Sequence, residues 1–294
     1  MENASLYDIS LRIAYAYPNP AGASRALLRM LPLNRPGQQL VTGYVGVDPA
    51  PNFRRDGVDF FGNPTVLVAH DGQIDELVFS FDGRARRSAE ERIFDLSCDL
   101  SRIGEDMAMA RSLAPESPHH FTGPSPRVPA DAEIAGFARD LIAPGMSASA
   151  AVETLSHALH AEIAFDPEAT EVTTSPAEAF RQRRGVCQDI SHVLISALRA
   201  VGLPAGYVSG FLRTIPPEGE ARLEGADAMH AWVRAWCGAE IGWVEIDPTN
   251  DMWVGADHVA VALGRDYADV APVKGSIRSV GAHETRQSVD VRPV

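Results

Sequence analysis

The segment Gly185-Val186-Cys187-Gln188-Asp189-Ile190-Ser191-His192-Val193-Leu194 carries a thiol at the start of a helical pattern. Apolar residues recur at 190, 193, 194, 197, 198 and 201, the spacing of one buried stripe of an α-helix. Cys187 falls one turn before Ile190 on that stripe, so the pattern predicts a thiol at the N-terminal end of a buried-facing helix. There the helix dipole and the unpaired N–H groups favour an anion and stabilise a thiolate. The same N–H groups can receive the oxyanion of an acyl-transfer intermediate. The alternative for Cys187 is a small buried hydrophobe, which is what most free cysteines are. His192 is the nearest base in sequence, but five residues at ~100° each turn it ~140° away from Cys187. A structural histidine is expected there.

A second candidate base lies further on. Met229 to Trp236 and Ile241 to Asp247 are aromatic and β-branched runs joined by Cys237-Gly238-Ala239-Glu240, which predicts a hairpin with a short loop. Pairing Trp236 with Ile241 sets His230 opposite Asp247 on one face of the sheet, with Cβ atoms ~4.5 to 5.5 Å apart. A bulge in the loop would shift that register. Alone, Asp247 in Asp247-Pro248-Thr249-Asn250 reads as a turn cap. Opposite His230 it reads as the carboxylate that orients an imidazole and stabilises its protonated form. Trp232, Trp236 and Trp243 read first as packing aromatics, with Trp232 and Trp243 kept as groove-wall residues able to touch a substrate. Cys237 is incidental in its loop.

These residues need elements to position them. The first third alternates apolar and polar residues in short runs, at Tyr7 to Ile13, Leu40 to Val47, Thr65 to Ala69 and Glu76 to Phe81. Turn formers such as Pro18-Asn19-Pro20 and Gly62-Asn63-Pro64 separate them, predicting an antiparallel β-sandwich over residues 1–115. A short helix is expected near Glu105 to Leu113, then a Pro/Ser/His-rich linker over 116–130. Helical patterns follow at Asp131 to Ile142 and Ser147 to Ala161. Ser175-Pro176-Ala177-Glu178 is a capping box that opens another. The expected fold is therefore α+β, with residues 131–294 forming a core in which a cysteine-bearing helix packs on an antiparallel sheet.

Length and charge narrow the partners. At 294 residues the chain can hold two domains, and its net charge of −13, with no basic block, excludes nucleic acid as a favoured partner. No stretch nears the ~20 apolar residues of a membrane span, and Met1 to Tyr17 has acidic Glu2 and Asp8 where a leader would be basic and then apolar. The expected location is cytoplasmic. Three cysteines without a CxxC pair indicate neither a disulfide framework nor a zinc site, and no cofactor or metal is expected.

Taken in order, Gly-Val-Cys-Gln-Asp, His-Ala-Trp-Val and Gly-Trp-Val-Glu-Ile-Asp-Pro-Thr-Asn resemble the motifs of the bacterial transglutaminase-like superfamily. The resemblance extends to Gly264-Arg265-Asp266-Tyr267-Ala268-Asp269-Val270-Ala271-Pro272 and, in the opening β region, to Asp59-Phe60-Phe61-Gly62-Asn63. It implies a papain-like core in which Cys187 is the nucleophile, His230 the base and Asp247 the orienting acid. It also implies a protein or peptide substrate and leans toward amide hydrolysis through a thioester. Transamidation to an amine acceptor and a non-catalytic protein-binding module are the alternatives. Ile190 stands where an aromatic is common and Arg234 where an acidic residue is frequent, departures that bear on substrate preference. No EF-hand-like loop is present, so calcium is not expected.

Overall fold

The computed structural model describes residues 4–88, 94–214 and 227–294. Alternation governs the opening: in β1 (Ala4–Ala21), Tyr7, Ile9, Leu11 and Ile13 are buried while Asp8 and Arg12 face water. Next come β2 (Ser24–Leu28), β3 (Gln38–Asp48), β4 (Phe53–Val58), β5 (Pro64–His70) and β6 (Ile74–Ser88). A helix, α1 (Ile103–Met109), starts slightly earlier than its pattern predicts and ends at Met109. Helices α2 (Ala132–Leu141) and α3 (Ala148–Glu162) begin at Asp131 and Ser147, whose side chains accept N–H groups of the first turn. Strand β7 (Ala164–Phe165) precedes α4 (Pro176–Gln182), capped by Ser175 as its sequence predicts. Then come β8 (Arg184–Gly185), α5 (Cys187–Ala200), β9 (Ala205–Leu212), β10 (Ala228–Trp236), β11 (Trp243–Asp247), β12 (Met252–Trp253) and β13 (His258–Gly264). The chain closes with α6 (Tyr267–Val270), β14 (Val273–Ile277) and β15 (Glu284–Pro293).

The architecture is α+β, as expected. Two four-stranded sheets, β15-β1-β6-β3 and β14-β2-β5-β4, enclose one core around Tyr7, Leu11, Leu28, Val68, Phe79 and Phe81. A five-stranded antiparallel sheet, β12-β11-β10-β9-β13, carries the second core, where Ile190, Val193, Leu194 and Leu198 of α5 pack with Val233, Ala235 and Ile246. Burial of this stripe is what holds α5, and with it Cys187, on the sheet. No helix among the described residues is long and apolar enough to cross a membrane.

Two features differ from a simple sandwich-linker-core order. Residues of 116–130 pack onto the core instead of spanning freely: Phe121 and Val128 are buried, and exposed Glu116 pairs with buried Arg234. The chain also returns to its beginning. β14 pairs with β2 and β15 with β1, so strands expected within the 131–294 core complete both sandwich sheets. A sheet edge left open would expose unpaired backbone and apolar side chains, and these two strands cover one edge of each sheet.

The units meet along β13, the edge of the five-stranded sheet. Gln38 donates from Nε2 to the Ala260 carbonyl at 2.7 Å and accepts the Ala260 N–H at 2.8 Å. Asn63 does the same for Leu263, at 2.8 and 2.7 Å. Side-chain amides thus substitute for a missing neighbouring strand and satisfy a buried edge.

Candidate active site

The turn before Cys187 is built by Asp189. Its Oδ2 accepts the Val186 N–H at 2.9 Å and the Thr170 hydroxyl at 2.6 Å, and the residue is 1% exposed. Burial pushes the Asp189 carboxyl up, partly offset by the Thr170 and Val186 hydrogen bonds. A side chain at Gly185 would bring its Cβ within 2.9 Å of Asp189, so the close approach needs glycine. The N–H groups of Asp189 and Ile190 both donate to the Val186 carbonyl, at 2.9 and 3.1 Å. Cys187 and Gln188, the first two helical residues, are left with N–H groups that have no intrahelical partner. Cys187 is partly buried, at the mouth of this anion-favouring helix end.

The register of the β10–β11 hairpin corrects the expected one. Trp236 pairs with Trp243 and Val233 with Ile246, two residues along from a Trp236–Ile241 pairing. The loop is longer because Gly238 and Gly242 take positive φ, 109° and 69°, and the Cys237 N–H closes on the Gly242 carbonyl at 2.8 Å. A two-residue shift preserves which face each side chain occupies, so His230 meets Asp247 diagonally instead of directly. His230 Nε2 lies 2.7 Å from Asp247 Oδ2, both residues being buried. Nε2 is thereby committed to Asp247, which leaves Nδ1 as the His230 nitrogen free to face Cys187, whose proximity helps to raise the imidazole. Cysteine, histidine and aspartate are brought together.

Their electrostatics are opposed and mutually reinforcing. Burial pulls the His230 imidazolium down, but hydrogen bonds to Asp247 and Cys187 and their negative charge raise it to about 10. For Asp247, burial works upward and is outweighed by hydrogen bonds from His230 and His258, the His230 charge and Asn250, which hold the carboxyl well below its usual range.

Sequence reasoning missed two members of this set. Asn250 donates from Nδ2 to Asp247 Oδ2 at 2.7 Å, and His258 Nε2 lies 3.1 Å from the same oxygen. The available signal for His258 was a histidine opening an otherwise apolar strand. His230, Asp247 and His258 also form the one group among the described residues whose ligand-capable atoms converge, within 4.8 Å of one another. Both imidazole Nε2 atoms are engaged with Asp247 Oδ2, so a metal would have to replace their protons there.

The remaining candidates sit elsewhere. His192 points away from Cys187: its Nε2 accepts the Tyr267 N–H at 3.2 Å, its ring packs on Tyr207, and burial pushes its pKa down to about 3. Trp232 is 0% exposed and so presents no wall to solvent; its indole N–H donates to Glu245 at 2.9 Å. Trp243 is half-buried, with the Arg234 guanidinium 3.9 Å over its ring and the edge of Phe121 at 4.9 Å. Arg234, one of the residues that depart from the family pattern, thus serves as a stacked, buried cation paired to Glu116.

Residues 135–248 match the transglutaminase-like superfamily and residues 7–86 the bacterial transglutaminase-like N-terminal region. An uncharacterised protein of Mycobacterium tuberculosis is 30% identical over 298 residues, covering 98% of this chain and 92% of that protein. A protein-glutamine gamma-glutamyltransferase of Pseudomonas aeruginosa is 35% identical over 74 residues, 25% of this chain and 11% of its own length. Among solved structures, a candidate cysteine protease from Cytophaga hutchinsonii shares the fold at a TM-score of 0.72 and 18% identity, over 100% of this chain and 92% of that one. With both regions matched and a relative aligned along nearly its whole length, the chain belongs to the transglutaminase-like superfamily and carries a bacterial transglutaminase-like N-terminal region ahead of its core.

Proposed function

We propose that the chain is a cysteine-dependent amide or peptide hydrolase. The observation that carries this reading is a His230 whose Nε2 is held by buried Asp247 while its imidazole lies within electrostatic reach of Cys187, at the N-terminus of α5. The raised His230 pKa favours transfer of the thiol proton to Nδ1, giving a thiolate beside an imidazolium. The thiolate sulfur bonds to the carbonyl carbon of an amide, and the C=O π pair moves to oxygen. The N–H groups of Cys187 and Gln188, without intrahelical partners at the start of α5, can receive that charge. Collapse restores C=O and breaks the C–N bond, with the amine leaving on the His230 proton. Neutral His230 then takes a proton from water as its oxygen adds to the thioester carbon. Breaking the C–S bond releases the acid and returns the thiolate–imidazolium pair.

An amine in place of water would give transamidation by the same steps. The test is incubation of wild type and Cys187→Ala with a protein mixture and a labelled primary amine, followed by mass spectrometry. New peptide termini or deamidated glutamine that depend on Cys187 are the expected result. Amine incorporation would reassign the chain as an acyltransferase. Cys187 that alkylates no faster than an ordinary exposed thiol, with no product of either kind, would leave a protein-binding module as the surviving reading.

A further inference from the structure

A buried, ionised carboxylate is stable only if its lone pairs are filled. Asp247 is 0% exposed. Its Oδ1 accepts the N–H groups of Thr249 and Asn250, at 3.0 and 3.2 Å. Its Oδ2 accepts from the Asn250 amide and from His230, both at 2.7 Å. Every one of these donors comes either from the turn that Asp247 itself begins, and so moves with it, or from the imidazole it is meant to orient.

His258 is different. It opens β13, which β10 and β9 separate from β11 in the sheet, yet its Nε2 stands 3.1 Å from Asp247 Oδ2. The Gly255 N–H points at its Nδ1 at 3.3 Å, which makes that nitrogen the acceptor and leaves the proton on Nε2, toward Asp247. The ring, 1% exposed, packs edge-on against Trp232 at 5.2 Å. Its carbonyl accepts Arg87 Nε at 3.0 Å, from β6 of the N-terminal sandwich. Ring, tautomer and backbone are each held by a separate partner.

We propose that His258 is a positioning residue, an imidazole that fixes the Asp247 carboxylate from outside its own turn and so keeps Oδ2 aimed at His230. Through Arg87 the sandwich holds the strand end that carries it. The inference rests on the reading of Cys187, His230 and Asp247 as a reacting set.

Two amide variants separate positioning from bulk structure. In His258→Gln the side-chain N–H reaches the place of the imidazole Nε2–H, whereas in His258→Asn it reaches only the place of Nδ1. The measurement is the second-order rate of Cys187 alkylation by iodoacetamide from about pH 4 to about pH 10. Cys187→Ala supplies the background from the other thiols, and thermal midpoints are recorded for each protein. Expected is a rate near neutral pH about tenfold lower for His258→Asn, with its acid limb displaced to higher pH, and within about threefold of wild type for His258→Gln. Equal rates in the two folded variants, or losses that simply track their thermal midpoints, overturn the positioning role while leaving the reacting set standing. A wild-type Cys187 that reacts as an ordinary thiol overturns the reading beneath, and the inference with it.

Discussion

The indole N–H of Trp232 donates to the Glu245 carboxylate at 2.9 Å, two residues ahead of Asp247 on β11. Arg35, reaching in from the stretch before β3, binds both oxygens of that carboxylate. Burial pushes the Glu245 carboxyl up, but the Arg35 charge and hydrogen bonds, the Trp232 N–H and the Arg234 charge hold it down at about 2. The side chains of the pair are 18% and 15% exposed, so solvent screens them little. Arg35→Ala would leave Glu245 charged with only the Trp232 N–H and the more distant Arg234 charge to balance it, and a loss of about 2 to 3 kcal/mol is expected. Urea denaturation measures it, and Glu245→Gln in the Arg35→Ala background should recover part of the loss.

Stability should also depend on pH through the His230–Asp247 pair. The folded pKa of His230, about 10, lies above its ordinary 6.5. Its contribution is therefore complete below pH 6.5 and is lost as pH climbs through about 10. Asp247 shifts downward, so its share is present above the usual carboxylate range and is lost only in strong acid. Urea midpoints should fall more steeply between neutral pH and about pH 10 in wild type than in His230→Gln. Parallel declines would mean that the pair is not ionised as described.

Asp247→Asn keeps the shape of the turn but replaces a charged acceptor that serves five donors. His230 then loses the anion that stabilises its protonated form. By comparison with serine enzymes carrying the same change, turnover should fall by about 10³ to 10⁴-fold. The Cys187-dependent products of the protein-mixture assay supply the readout, with circular dichroism as the control for folding.

His192→Leu should leave Cys187 alkylation within about threefold of wild type, because its imidazole faces Tyr207 and the Tyr267 N–H. It should nonetheless cost about 1 to 3 kcal/mol, since the part-buried Tyr267 N–H loses its acceptor. Its pKa of about 3 lies below the ordinary 6.5, so wild type loses this contribution as pH falls from 6.5 toward about 3. The variant should show a shallower acid decline in thermal midpoint.

Cys187 and the helix beneath it were legible in the sequence because everything that specifies them is local. The apolar stripe from 190 to 201, the glycine at 185 and the acid at 189 lie within one stretch of chain and close on one another. The rotation that removes His192 is helix geometry alone. His230 and Asp247 were legible for a related reason: strand side chains alternate with a period of two, so a hairpin register displaced by two residues still put them on one face. The register itself depended on Gly238 and Gly242, whose positive φ lengthens a loop that the sequence reads as short.

Tertiary structure decided what came from a distance. His258 lies eleven residues past Asp247, in a strand with two others between, and only closure of the whole sheet brings its Nε2 to Oδ2. Arg35 and Arg87 reach the same region from the N-terminal sandwich, and β14 and β15 return to finish that sandwich. The sequence by itself determined the three candidate residue types, the helix end that holds the thiol and the shared face of imidazole and carboxylate. Which partners fix the carboxylate was decided by long-range burial, because no periodicity along a chain records the neighbours that a distant strand edge must acquire to satisfy its backbone and cover its core.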